Sequence, residues 1–219
     1  MTTTESYEAV LFDLLTGLLD SWSLWNRVAG DDHIGRLWRA SYLDIAYREG
    51  RYRPYEDLVA SAADHVGLPA TAASELVARW DELEAWPETE TALRSLAPRP
   101  LGIVTNCSDE LARRAVARLG LSPAVVVSAE RAGWYKPAPQ AYRQALAELG
   151  LDARRVLYVA GSAHDVIGAS DVGLPVVWHN RIGVSDAAAG ARARAVIGDL
   201  RVLPAHLDRA DQVHDGMAS

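Results

Sequence analysis

Val10-Leu11-Phe12-Asp13-Leu14-Leu15-Thr16-Gly17 is the stretch that decides the fold. The apolar run leading to Asp13 shows no polar alternation. A strand covered on both faces needs that pattern, and such strands occur in parallel sheets flanked by helices. The run ends on a carboxylate, which is costly beside a buried strand unless hydrogen bonds or a cation compensate it. Taken alone, Asp13 reads as a cap on the turn that follows.

Working outward, residues 7–12, 101–105, 124–127, 156–160 and 176–178 all carry this strand character. Helical segments separate most of them. Ser108 is placed to cap a helix whose Leu111, Ala115 and Leu119 recur every fourth residue, with Gly120 positioned to end it. Pro137 and Pro139 open another, with Tyr142, Ala145, Leu146 and Leu149 on one face and Gly150 at its end. This rhythm predicts a doubly wound α/β domain with a parallel sheet.

The rhythm breaks between the first and second strands. Residues 18–96 are helical in pattern throughout. A stripe of Ile34, Leu37, Trp38, Ser41, Tyr42 and Ile45 lies behind the cap candidate Asp32, and helices are expected over 54–66 and 71–84. Pro87 and Pro98-Arg99-Pro100 mark the return. The division that follows is a Rossmann-like core from 1–17 and 97–219 and an inserted helical cap from 18–96. The Ala/Gly/Arg-rich stretch 187–195 reads as a surface helix or loop.

Bulk properties narrow the function. The chain has 219 residues, 49% hydrophobic and 23% charged, enough for one core with a smaller inserted unit. A net charge of −7 argues against a nucleic-acid-binding surface, but leaves room for a local basic pocket that takes a small anion. Cys107 is the only cysteine, so no intrachain disulfide forms, which suits a reducing cytoplasm. Residues 1–6 lack the basic start and apolar run of a signal peptide, no stretch nears the roughly 20 apolar residues of a membrane span, and the polar tail 208–219 is expected to fray.

Ligands of open α/β sheets bind beyond the carboxyl ends of the strands. That singles out Asp13, Thr105-Asn106, the segment around Ser128, residues 160–165 and His179-Asn180, with the cap above them. Each has an ordinary reading by itself. Thr105-Asn106 would start a helix, Lys136 would be solvated, and Asp165 would cap the helix through Gly168 and Ala169.

In order along the chain, Phe12-Asp13, Thr105-Asn106, Lys136-Pro137 and Gly161-Ser162-Ala163-His164-Asp165 resemble the four motifs of the haloacid dehalogenase superfamily. The resemblance spans nearly the whole chain and accounts for the cap's position. It implies that Asp13 attacks carbon or phosphorus to form an ester that water then hydrolyses.

Magnesium-dependent phosphatases of this superfamily carry a second Asp two residues after the nucleophile, where this chain has Leu15, which cannot transfer a proton. They also carry an acidic residue early in the fourth motif, where this chain has Gly161. Both departures favour the L-2-haloacid dehalogenase branch, whose halide leaves unprotonated and whose chemistry needs no cofactor or metal. Mg²⁺ enters only under the alternative of a phosphatase acting on a small phosphate ester. A catalytically weak ligand-binding protein is the other alternative.

Within that branch, the resemblance makes Arg39, in Leu37-Trp38-Arg39, the binder of the halide or substrate carboxylate. Asn106 joins it at the halide, Thr105 and Asn106 hold the substrate, and Tyr142 is an active-site tyrosine. Lys136 orients Asp13, and Asp165 activates water. Read by periodicity instead, Arg39 is a solvated charge and Tyr142 a core aromatic with its hydroxyl at the surface. His164 stands where the branch tends to have an aromatic, so it lines the pocket or lies on the surface. Trp22, Trp25 and Trp38 are candidates for an apolar wall. Thr16-Gly17 inverts the family's Gly-Thr, and Ala160 and Ser162 replace its serine and asparagine. Those replacements put the efficiency of ester hydrolysis in question. Relatives of this branch often pair through their helical caps, which makes a homodimer one of the assemblies to expect.

Overall fold

The computed structural model describes residues 6–207, so the expected signal-peptide-free start at 1–5 and the fraying tail at 208–219 lie outside the described residues. The run around Val10 forms strand β1 (Ala9–Phe12), buried at every position. Parallel pairing with β2 (Leu101–Thr105) on one side and β4 (Val156–Ala160) on the other puts β1 in the middle of the sheet. Beyond β2 lies β3 (Val125–Ser128), and beyond β4 lie β5 (Val176–His179) and β6 (Ala195–Ile197), giving the order β3-β2-β1-β4-β5-β6. Because side chains alternate along a strand, Val10 and Phe12 enter one hydrophobic cluster and Ala9 and Leu11 the other. The unalternating run thus supplies apolar side chains to both faces.

Strand β6 was not expected. It has three residues, and Val196 is 50% exposed. An edge strand facing solvent on one side loses the continuous apolar run that marks the others. The stretch 187–195 therefore divides into α10 (Ala187–Arg192) and the first residue of β6.

Around the sheet run α6 (Asp109–Ala117), α7 (Ala129–Ala132), α8 (Pro139–Leu149) and α9 (Ala163–Asp171). Ser108 caps α6 through a bond from the Leu111 N–H, and the helix ends at Ala117, before the left-handed turn at Gly120. Helix α8 opens at Pro139 and stops at Gly150, also left-handed.

Residues 18–96 supply α1 (Ser21–Ala29), α2 (Asp32–Glu49), α3 (Tyr55–His65), α4 (Ala72–Ala78) and α5 (Thr89–Ser95). The helix expected over 71–84 is shorter, because α4 gives way to a 3₁₀ turn at Trp80–Glu82. The cap of α2 is Asp31 rather than Asp32, with the His33 and Ile34 N–H groups on its carboxylate at 2.8 and 2.9 Å.

The stripe expected on α2 is also rotated. Its buried face is Gly35, Trp38, Arg39, Tyr42 and Ala46, whereas Leu37 is 44% exposed. A Cβ on Gly35 would lie 2.5 Å from the Asn26 Cα, so close approach of α1 at this glycine sets the rotation. Trp38, Trp25, Tyr42 and Tyr55, in that spatial order, then form a chain of tilted and edge-on ring contacts through the middle of the cap, with successive centroids 4.5, 5.5 and 5.1 Å apart.

The two strands of chain joining cap to core lie side by side, with Leu19 bridging antiparallel to Ala85. Helix α5 packs against the 3₁₀ segment Leu200–His206. Among the described residues, no helix is long and apolar enough to cross a membrane.

Candidate active site

Asp13 follows the last residue of the central strand, and its carboxylate is fully engaged. Oδ2 accepts the backbone N–H groups of Thr16 (3.2 Å) and Gly17 (3.0 Å), and Oδ1 accepts the Lys136 ammonium at 2.9 Å. The tight turn requires Gly17, since a Cβ there would lie 2.2 Å from the Asp13 carbonyl oxygen. Behind the turn, the Gly17 carbonyl accepts a hydrogen bond from Nδ1 of buried His179, 2.9 Å away at the end of β5. Burial keeps His179 below its ordinary pKa, which suits a neutral donor.

Lys136 comes from 123 residues further along the chain. It is buried, contrary to the solvated reading of an isolated lysine. Its Nζ lies 2.9 Å from Asp165 Oδ2, 2.8 Å from the Val104 carbonyl and 3.0 Å from the Tyr158 hydroxyl. Asn106 fixes it from behind. The side-chain amide of Asn106 accepts the Lys136 N–H at 2.7 Å and donates to the Lys136 carbonyl at 2.9 Å. Asp165, at the start of α9, is buried too, and the cap of that helix is Ser162. The hydroxyls of Tyr142 (2.5 Å) and Tyr158 (2.9–3.0 Å) both donate to Asp165. Tyr142 is thus a core aromatic whose hydroxyl points to a buried carboxylate, not to the surface.

One lysine between two carboxylates separates their proton affinities. Burial pushes Asp13 up, but Lys136 and the two backbone N–H groups more than reverse this, holding it below the ordinary aspartate value. Asp165 moves the other way. Burial raises it, the Asp13 charge adds to that, and Lys136 only partly offsets the two. Burial also acts to lower Lys136, yet the two carboxylates outweigh it and the ammonium stays charged. Burial and the Asp165 charge keep both tyrosines protonated as donors.

Above this cluster lies a cavity of about 470 Å³ between cap and core. Arg39 lines it from α2 and is buried, with its guanidinium 4.6 Å from the Trp22 ring centroid. Nη2 donates to Thr16 Oγ1 at 2.8 Å, while Nε and Nη1 have no acceptor. Thr16, the residue that inverts the family's usual order, therefore ties this cation to the nucleophile's own turn.

Among the other expected residues, Asp13, Asn106, Lys136, Asp165, His164 and Trp22 line the cavity. Thr105 does not. It is fully buried and its hydroxyl faces Cys107 Sγ at 3.6 Å, because its side chain falls on the interior side of β2. Trp25 and Trp38 are packed inside the cap rather than at the cavity wall. His164 stacks on Tyr47 of α2 with centroids 4.2 Å apart, joining α9 to the cap.

Sequence reasoning missed three contributors. Tyr158 places a hydroxyl on Lys136 and Asp165 from two residues before Ala160, on the same side of β4. Tyr47 approaches Ser162 from the cap, and Trp178 lines the cavity at the end of β5. For Tyr158 a signal existed: it is the one hydroxyl-bearing residue in an otherwise apolar strand.

A magnesium site does not fit these residues. The two carboxylates within reach are both bonded to Lys136, whose ammonium occupies the position between them. A Cβ on Gly161 would lie 2.3 Å from Asp13 Oδ2, so a further carboxylate there has no room. A hard cation takes about six oxygen ligands. Among the described residues, no group of three or more His, Cys, Asp or Glu is arranged to hold a metal.

Residues 7–173 match the family model for haloacid dehalogenase-like hydrolases. The chain is 30% identical over 195 residues to haloacetate dehalogenase H-2 of Moraxella sp. (strain B), covering 80% of this chain and 87% of that one. It is 28% identical over 211 residues to (S)-2-haloacid dehalogenase H-109 of Pseudomonas putida, covering 88% and 94%. Its fold superposes on the crystal structure of an L-2-haloacid dehalogenase with a TM-score of 0.82 at 28% identity, covering 93% of this chain and 99% of that one.

Proposed function

The chain belongs to the haloacid dehalogenase-like hydrolases, and from that premise we propose that it hydrolyses the carbon–halogen bond of a 2-haloalkanoic acid. The observation that carries the reading is Arg39, a buried guanidinium with two unpaired nitrogens on the wall of the cavity over Asp13. Beside it, Leu15 stands where a proton donor would be needed for an alcohol leaving group. A cavity with a cation and no such acid suits a group that departs as an anion.

In this reading, an Asp13 oxygen attacks C2 of the substrate, and the halide leaves with the bonding electrons toward Arg39. The product is an ester between the Asp13 carboxyl and the substrate. Water then attacks Cγ of Asp13, Asp165 takes its proton, and the 2-hydroxy acid is released with Asp13 restored. If Oδ1 forms the ester bond, Oδ2 becomes the carbonyl oxygen, and the Thr16 and Gly17 N–H groups are placed to stabilise the oxyanion. The Tyr158 hydroxyl stands in for the serine that Ala160 replaces, so that loss need not cripple ester hydrolysis. Lys136, Tyr142 and Asn106 hold the two carboxylates in place.

Residues 18–96 act as the cap, 1–17 and 97–219 as the core. No metal or cofactor takes part, and the partner is a small anion rather than nucleic acid or membrane. The lone buried thiol suits the cytoplasm, and pairing through the cap is the assembly the resemblance suggests.

The direct test is halide release from L-2-chloropropionate and haloacetate with and without Mg²⁺, beside hydrolysis of p-nitrophenyl phosphate. Metal-independent halide release is expected. Phosphate release that requires Mg²⁺, with no halide from any short haloacid, sinks the proposal.

Arg39→Gln should lower turnover of L-2-chloropropionate by about 10²-fold or more, the usual size for losing a preorganised donor at developing negative charge. Arg39→Lys should rescue little of it, since an ammonium neither stacks on Trp22 nor spans Thr16 and the halide.

A pH prediction follows from the opposed carboxylates. As pH falls, Asp165 with its raised pKa takes a proton before Asp13, whose pKa is lowered. Ester formation then outlasts ester hydrolysis. Intact mass of acid-quenched enzyme should show the Asp13 adduct accumulating as the pH drops, before overall turnover is lost. An adduct that never exceeds its level at neutral pH would remove Asp165 from the role of base.

A further inference from the structure

The cavity is larger than a three-carbon acid requires. At about 470 Å³ it lies within the range of roughly 300–1,000 Å³ typical of pockets for much bigger ligands. Part of its lining lies beyond the residues gathered around Asp13. Trp178 at the end of β5, then Ile182 and Val184 in the loop beyond, line it on the side away from β2. Strand β5 is separated from β1 by β4 alone, so its backbone lies two strand spacings, about 10 Å, from that of β1.

The character of this side is equally specific. Ile182 is 41% and Val184 45% exposed, among the few large apolar side chains left in solvent, and both border the cavity. The charges nearby are already engaged. Asp186 accepts the Ala189 N–H at 2.9 Å as the cap of α10, and Asp44 pairs at 2.9 Å with Arg48 one turn further along α2. The two exposed apolar side chains call for an apolar occupant continuous with whatever is bound over Asp13, beside the buried Trp178 indole N–H, which has no acceptor.

We propose that the preferred substrate is a 2-haloalkanoic acid with an apolar chain of medium length, its tail lying along Trp178, Ile182 and Val184. The proposal rests on the dehalogenase reading and adds the substrate class. Each methylene that enters the wall should favour binding in proportion to the water-accessible surface it loses, roughly threefold to fourfold per carbon.

The test is kcat/KM for halide release across 2-bromoacetate, 2-bromopropionate, 2-bromobutyrate, 2-bromohexanoate and 2-bromooctanoate. The value should rise with chain length beyond propionate, for a cumulative gain of at least tenfold. In Ile182→Asp/Val184→Asp, two substitutions in an exposed loop that leave the core intact, the ratio of kcat/KM for octanoate to propionate should fall at least tenfold. Good turnover of 2-bromopropionate with a flat or falling trend beyond it overturns the tail site and leaves the dehalogenase reading standing. A ratio unchanged in the double variant also overturns it. Absence of halide from every acid overturns the dehalogenase reading itself, and the tail site with it.

Discussion

Asp13→Asn is expected to abolish halide release from L-2-chloropropionate, with a loss of at least about 10⁴-fold, as for removal of other covalent nucleophiles. An amide keeps the shape of the side chain and loses the charge that attacks carbon. Its effect on folding should be small. The Thr16 and Gly17 N–H groups still meet an oxygen, that of the amide, and although its NH2 replaces the Oδ1 acceptor of the Lys136 ammonium, that ammonium keeps Asp165 at 2.9 Å, the Val104 carbonyl and the Tyr158 hydroxyl. The variant should therefore melt within a few degrees of the parent protein while forming no adduct detectable by mass. A variant that still releases halide at more than a hundredth of the parent rate would transfer the role of nucleophile elsewhere.

Lys136→Met should fail in a different way, losing both activity and stability. Methionine matches the length of lysine and leaves Asp13 and Asp165 buried without their counter-charge. Breaking a buried pair from one side costs about 3–5 kcal/mol. For a chain of this size that corresponds to a fall on the order of 10 °C in melting temperature.

The pH dependence gives this prediction its sharpest form. With the ammonium gone, burial and mutual repulsion raise both carboxylates in the folded state. The folded protein then binds protons more readily than the unfolded chain, so its deficit shrinks as the pH falls through the raised values. Thermal melts should show a larger gap between variant and parent at pH 8 than at pH 5. Adding Asp165→Asn to Lys136→Met should recover part of the melting temperature, because one uncompensated charge disappears. An equal deficit at both pH values, with no recovery in the double variant, would mean that Lys136 acts only as packing.

The core was legible because the physics behind it is local. A parallel strand buried on both faces has an apolar side chain at nearly every position, and a run of that kind can be seen without knowing its neighbours. Strand β6 lay beyond this rule because Val196 faces solvent, and an edge strand needs only half the pattern. The stripe on α2 came out rotated for a similar reason. Its apolar residues were visible, but which of them face inward was decided by how closely Asn26 on α1 approaches Gly35.

The candidate site divides along the same line. Motif order brought Asp13, Lys136 and Asp165 into one hypothesis, and they do lie within hydrogen-bond distance of one another through Nζ. For Thr105 and Asn106 the strand end could be located from the sequence and the side-chain direction could not. Thr105 turns toward Cys107, and the Asn106 amide is engaged with the backbone of Lys136. Arg39 reversed its plain reading outright, from a solvated charge to a buried cation stacked on Trp22.

By itself, the sequence determined that a carboxylate ends the first strand of a parallel sheet and that a helical insert follows it, and the resemblance its motifs carry implied that Leu15 and Gly161 stand where a magnesium phosphatase would have acids. Each is a property of a residue and its near neighbours, so it survives without coordinates. Only the tertiary structure decided that one ammonium lies between two carboxylates and drives their proton affinities apart, that the Tyr158 hydroxyl reaches both Lys136 and Asp165, and that the cavity extends toward β5. Those depend on distances between residues far apart in the chain. Such distances follow from sheet order and helix packing, to which burial periodicity along a single segment is blind.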